Sequence, residues 1–225
     1  GCVGNNTGWQ IAHLVLKLDK AIVGAMPLYF KQHSYGEYVF DWSWAQAYEQ
    51  QGMNYYPKVL CAIPFTPVQG SRLLSKPGMN KELIYSKLIS GLKSLVINNE
   101  LSSAHVLFPQ KDELGILNTQ GFLLRDSVQF HWHNQGYQSF EQFLSSLTMK
   151  RRKNIRRERE FVARHNIAFR HISGKESTDQ DWEFFYACYA STYYEHQSQP
   201  YLNEAFFKLW AKRLPENTHL IVAER

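Results

Sequence analysis

Apolar residues recur at two different periods along this 225-residue chain, and that mixture limits its fold more than any other feature. His13 to Leu18 alternates, with Leu14, Leu16 and Leu18 on one side, as a half-buried strand requires. Asp19-Lys20 is a turn-sized break, and Ala21 to Phe30 predicts a second strand completing an antiparallel hairpin. Lys81 to Asn98 instead repeats at helical spacing through Leu83, Ile84, Leu88, Leu92 and Leu95, with Asn80 as its cap. Tyr38–Phe40, Tyr56–Ile63, Ser103–Phe108, Phe122–His133, Ile167–Ile172 and His219–Ala223 are further strand segments. Pro64-Phe65-Thr66-Pro67 ends one of them, because proline cannot donate to a ladder. Helices are predicted over Trp42–Gln51 behind Asp41, Lys111–Asn118, Phe140–Leu147 behind Ser139, Lys150–His165, Asp181–His196 and Asn203–Arg213. Hairpins interspersed with helices define an α/β class, a mixed α+β sheet with covering helices, rather than a doubly wound one. The short polar stretch Asn134–Gln138 divides the chain into units 1–137 and 138–225.

Composition closes several alternatives. With 44% apolar and 15% aromatic residues the chain can bury a sizeable core. Its apolar runs are short; Ala25 to Phe30, about the limit, contains Pro27, far from the roughly 20 residues a spanning helix needs. Gly1-Cys2-Val3-Gly4-Asn5-Asn6 lacks the basic and apolar regions of a signal peptide. Cys2, Cys61 and Cys188 are odd in number and far apart, which excludes a disulfide framework and points to a reducing, cytoplasmic setting. Cys61 and Cys188 read as small buried residues.

The formal charge of +5 is local. Thr148 to His165 holds eight of the 25 basic residues and two of the 20 acidic ones, leaving the remaining chain at −1. On a helix Lys150, Lys153 and Arg157 fall near one face, and Arg152, Arg156 and Glu160 line another. Such a set, with Arg151, can hold phosphates or carboxylates, or it can be a solvated face supported by Arg156–Glu160.

Three other clusters carry possible chemistry. His33-Ser34-Tyr35-Gly36-Glu37-Tyr38-Val39-Phe40-Asp41-Trp42 alternates polar and aromatic residues and can line a pocket through Tyr35 and Tyr38. Glu37 or Asp41 becomes a general base there if aromatic walls raise its pKa; the plainer reading is an aromatic edge with Asp41 capping a helix. Lys58, inside an apolar segment, is costly unless paired or at a pocket mouth. His131-Trp132-His133 sets two imidazoles on one side of a strand, but no third ligand is identifiable and no metal is expected. The aromatic positions Trp182, Phe185, Tyr186, Tyr189 and Tyr193 read as a core stripe. GxxxxGK[ST], GxGxxG, GxSxG and HExxH are all missing, and the loop after the second strand holds only Gly36, which argues against a nucleotide-cradling loop in the first unit.

Several stretches together resemble the bacterial FemAB-like family: Met26-Pro27-Leu28-Tyr29, Tyr35 to Trp42, Tyr55-Tyr56-Pro57-Lys58, Pro64-Phe65-Thr66-Pro67, Gln129 to Asn134, and Lys150 to Glu158. The resemblance spans nearly the whole chain. It implies two GNAT-like halves, one nearly complete and a second that begins with the basic helix and extends beyond Arg225. True Fem enzymes move amino acids from aminoacyl-tRNA to an amine of a peptidoglycan precursor, so the resemblance implies an N-acyltransferase acting on an anionic substrate. The donor would be an aminoacyl-tRNA or an acyl-CoA. Glu37, Asp41 or His133 would take the proton. Tyr35, Tyr38, Lys58, His131, Lys150, Arg151, Arg152, Lys153 and Arg156 would bind substrate. The rival reading is a non-catalytic module whose basic segment 148–165 binds tRNA or an acidic partner.

Overall fold

Pro27 decides the architecture of the first half. The computed structural model describes residues 3–4 and 7–225, and in it the expected strand Ala21–Phe30 is two strands separated by that proline, which has no N–H to donate. The first, β3 (Ala21–Met26), pairs antiparallel with β2 (Leu14–Leu18), the predicted hairpin, and with the short β6 (Leu74–Ser75). The second, β4 (Leu28–Lys31), joins another sheet in which it pairs antiparallel with β1 (Trp9–Ile11) and β5 (Lys58–Cys61). β5 in turn pairs parallel with β7 (Ala104–Val106), so the order is β1-β4-β5-β7.

Helix α1 (Trp42–Gln50) precedes β5, and α2 (Lys81–Asn98) and α3 (Lys111–Thr119) flank β7 in sequence. Asn80 caps α2 as expected, its side chain accepting from the Leu83 N–H at 3.0 Å. The buried stripe of α2 is Ile84, Tyr85, Leu88, Ile89 and Leu92, while Leu83 is exposed. The stripe therefore sits slightly further round the helix than the leucine spacing suggests. It packs on Val23, Met26, Leu28, Val59 and Cys61, and each such aliphatic side chain contributes about 1.5–3 kcal/mol on burial.

Strand alternation fixes what the other face of the four-stranded sheet carries. Leu28, Val59 and Cys61 point into the α2 core, so Tyr29 and Leu60 point the other way, into a second cluster with Trp9, Ala62 and Leu107. Lys31 and Lys58, two residues from Tyr29 and Leu60, fall on that same face.

Two expected strands do not form. Tyr38–Phe40 is irregular, with Tyr38 at φ +59°. Phe122–His133 is irregular as well, and Leu123, Val128 and Phe130 are 94%, 82% and 96% exposed. Alternation makes a strand only where a neighbouring edge accepts the hydrogen bonds, and the described residues offer none here.

The chain divides into two compact units, Gly1–Arg125 and Asp126–Arg225. The second opens with α4 (Phe140–Ser145), capped by Ser139, whose Oγ accepts from the Gln142 N–H at 3.1 Å. The basic stretch is helix α5 (Met149–Arg164). β8 (Ala168–Ser173) and β9 (His219–Glu224) form an antiparallel pair. Helix α6 (Asp179–Glu195) starts two residues ahead of the expected Asp181, because Thr178 and Asp181 form a reciprocal capping box. Helix α7 (Glu204–Arg213) follows an Asn203 cap. Ile172, Trp182, Phe207, Ala211, Leu220 and Val222 are the core of this unit, with Phe185, Tyr186 and Tyr189 against it, so the aromatic spacing of α6 does report packing. Cys61 is buried but Cys188 is exposed, contrary to its expected burial, and Cys2 lies outside the described residues. Among the described residues no helix is long and apolar enough to cross a membrane.

Candidate functional site

Lys31, the last residue of β4, stands directly opposite Lys58, the first of β5, and both are fully buried. Two lysines abreast in a core are untenable without compensation. It comes from the loop after β4. Gly36, at φ +80°, carries the chain beneath Phe65, where a Cβ would lie 2.5 Å from the ring, and leads directly into the buried Glu37. Lys58 Nζ then donates to three acceptors, Ser34 Oγ at 2.8 Å, Glu37 Oε2 at 2.9 Å and Asp41 Oδ2 at 2.5 Å.

Asp41 occupies the N-cap position of α1, as the sequence suggests, yet its side chain makes no capping bond. The carboxylate is used by Lys58 instead, and it also accepts from the Tyr55 hydroxyl at 2.7 Å. The network continues outward. The Tyr55 oxygen lies 3.3 Å from His105 Nε2, which is 2.9 Å from Ser103 Oγ, and Ser34 Oγ lies 2.7 Å from the Tyr56 oxygen. Lys31 Nζ donates to the Tyr35 carbonyl at 3.1 Å and sits 4.0 Å above the Trp9 ring, a cation–π contact.

Burial and charge act oppositely on the two acids. Desolvation dominates at Glu37 and raises its pKa above the ordinary carboxylate value, although Lys58 pulls it down. Asp41 is desolvated too, but the hydrogen bonds from Lys58 and Tyr55 outweigh this and lower its pKa. Burial brings Lys31 down to about 8 against the attraction of Glu37, and brings His105 down to about 4 with help from Lys58. Burial and the Asp41 carboxylate push the Tyr55 phenol up. Glu37 Oε1, Asp41 Oδ1 and Trp9 Nε1 are buried without a hydrogen-bond partner among the described residues.

A second buried cation nearby has a different role. Arg72 directs Nε to the Leu107 carbonyl at 2.8 Å and Nη2 to the Val68 carbonyl at 2.7 Å. Glu113 accepts from the backbone N–H groups of Arg72, Leu73 and Gln110. Both side chains bind backbone, so they hold the loop after β5 in place.

The structure thus brings together Glu37, Asp41 and Lys58, and Lys58 is paired rather than at a pocket mouth. Tyr35 is exposed, its ring edge-on to Trp42 at 5.2 Å, and Tyr38 lies in the same loop. His131 and His133 belong to the second unit, on the irregular segment, with rings stacked 6.2 Å apart. Lys150, Arg151, Arg152, Lys153 and Arg156 also lie in that unit, on α5, which has no buried residue. Arg156 is paired with Glu141 at 2.6 Å, and Arg152 reaches the Ser145 carbonyl at 3.5 Å. Lys150, Arg151, Lys153 and Arg157 have no ion-pair partner among the described residues. Lys150, Arg151 and Arg152 also crowd the first turn of α5, where no acid is present and the helix dipole opposes positive charge. No group of three or more His, Cys, Asp or Glu that could hold a metal is found among the described residues.

Sequence reasoning did not single out Lys31, Ser34, Trp9 or His105 as members of this cluster. Lys31 falls just beyond the predicted strand Ala21–Phe30. Its one legible signal is the period: it continues the Tyr29 side of β4. Its pairing with Lys58 needs the strand register.

The first unit is therefore a mixed-sheet α/β fold that keeps a buried acid–amine network on the sheet face away from its main helix. The FemAB-like family, described as peptidoglycan biosynthesis/recognition, matches residues 1–225, and the chain belongs to it. No curated protein and no solved structure matches the chain.

Proposed function

We propose that this chain is an N-acyltransferase-like protein of GNAT-like architecture that moves an acyl or aminoacyl group onto an amine of an anionic cell-wall precursor. Family membership supports the cell-wall direction. The observation that carries the chemical part is Glu37, whose carboxyl is buried, raised in proton affinity, and left with Oε1 unengaged. In this reading the acceptor amine attacks the donor carbonyl, a new C–N bond forms, and the ester or thioester bond to the donor breaks. The donor is an aminoacyl-tRNA or an acyl-CoA. Glu37 takes the amine proton, and backbone amides hold the developing oxyanion. Asp41, with its lowered pKa, stays ionised and holds Lys58 in position. In the second unit, the unpaired cations of α5 suit an anionic group, supplying affinity rather than chemistry.

The test is mass-spectrometric detection of product when the protein in its native length is incubated with acyl-CoAs, charged tRNA and nucleotide-linked precursors. Transfer that falls at least about 100-fold in Glu37→Gln supports the reading. Undiminished transfer in that variant removes Glu37 as the base. The unpaired cations of α5 also favour a second reading, a module that binds tRNA or an acidic partner without catalysis. Affinity for tRNA falling steeply with salt, with no transfer from any donor, selects it.

A further inference from the structure

The outward face of the β8–β9 pair carries two histidines that neither the fold nor the proposed reaction uses. Inward positions Ile172, Leu220 and Val222 are buried, so alternation turns Phe169, His171, His219 and Ile221 to solvent. In the ladder His171 stands opposite Ile221 and Ser173 opposite His219, which makes the two histidines diagonal neighbours on one face. Their rings meet, centroids 5.5 Å apart, with His171 Nδ1 3.2 Å from His219 Nε2.

That separation is the bite of a metal chelate. Two nitrogens each about 2.0–2.1 Å from one ion, at a near-tetrahedral angle, lie roughly 3.3 Å apart. The pair hangs from two hydrogen-bonded strands, so the backbone holds both imidazoles in place before an ion arrives. The charges around it favour a cation. The Glu176 carboxylate, anchored by Ser173 Oγ at 2.6 Å, lies within electrostatic reach of His219. Lys175, next in the turn, is neutralised by Glu216 at 2.7 Å, and Arg170 lies on the opposite face, engaged by Glu224 and Asp181.

We propose that His171 and His219 form a surface site for a divalent first-row transition ion such as Zn²⁺ or Cu²⁺, completed by water. With both imidazoles neutral, one of the two facing nitrogens donates to the other, the tautomers deciding which. For both nitrogens to bind the ion, the donor imidazole takes its other tautomer, its proton passing through solvent to its far nitrogen. No net proton is released and nothing is oxidised. Bridging β8 to β9, the ion ties together the two strands of this sheet.

Isothermal titration of the intact chain with ZnCl₂ and CuCl₂, with MgCl₂ as control, tests this. The expected result is one saturable, EDTA-reversible site for Zn²⁺ and Cu²⁺, absent for Mg²⁺. It should weaken at least about tenfold in His171→Gln and in His219→Gln, each checked for folding by circular dichroism. A His131→Gln/His133→Gln variant controls for the other histidine pair and should bind like the parent. Stoichiometric binding that survives His171→Gln/His219→Gln, binding lost only with the 131/133 pair, or no uptake at millimolar ion overturns the proposal.

Discussion

Lys58 shows how a buried charge is made tolerable. Its Nζ has three acceptors and is the one cation in direct contact with either carboxylate, so removing it leaves both desolvated without their ion pair. Lys58→Met should therefore cost about 3–5 kcal/mol of stability, measured by urea denaturation. The triple variant Glu37→Gln/Asp41→Asn/Lys58→Met should lose distinctly less, because neither carboxylate is then left buried without Lys58; equal losses would show that packing of the lysine stem dominates. Lys31 makes a separate prediction about pH. Its folded pKa of about 8 lies below the ordinary lysine value of 10.5, so between those two pH values the unfolded chain binds a proton that the folded chain does not. Stability should rise with pH across that window, by up to about 3 kcal/mol, and be insensitive to this group below it. Lys31→Met should flatten the alkaline rise in a denaturation series from pH 7.5 to 10.5. An unchanged slope would assign the rise to another group. His105 acts in the same sense at the acid end, adding stability as pH climbs from about 4 toward 6.5.

Among the elements, α5 is the one least justified by its own stability. It has no buried residue and no side-chain cap bond at Thr148, and cations fill its first turn. Lys150 and Lys153 are three apart and Lys153 and Arg157 four apart, and like charges at these spacings cost about 0.2–0.5 kcal/mol per pair. Changing Lys150, Arg151, Lys153 and Arg157 together to Gln should leave the melting temperature unchanged or raise it by a few degrees. A clear fall would mean that these side chains pack or pair in ways that contradict their exposure. If the fold gains from losing them, their presence is explained by what they bind. Arg156 is the exception, since its pair with Glu141 ties α5 to α4, though an exposed pair of this kind contributes no more than about 1 kcal/mol.

At the scale of the whole molecule, two units with separate cores are joined through a stretch that has neither regular structure nor burial. Brief chymotrypsin treatment should cut first at Leu123, Leu124, Phe130 or Trp132, and mass spectrometry should then find two persistent fragments. Early cleavage within α2 or α6 would contradict this division. Local patterns in the sequence settled much: the β2–β3 turn at Asp19-Lys20, the Asn80 and Ser139 caps, the helical period of α2 and the charge of α5 all arise from residues within a few positions of one another. The value of Glu37, Asp41 and Lys58 was visible as unusual residue types in aromatic and apolar surroundings. Their assembly was not, because it depends on β4 pairing with β5 across an intervening loop and helix, a register that sets Lys31 against Lys58. The same limit explains the failed strand at Phe122–His133, which alternates over Val128–His133 but whose hydrogen-bonding edge meets no partner among the described residues. Sequence alone determines what a segment prefers; which charges are buried together, and which strands find an edge, is decided only when distant segments are packed and water is excluded between them.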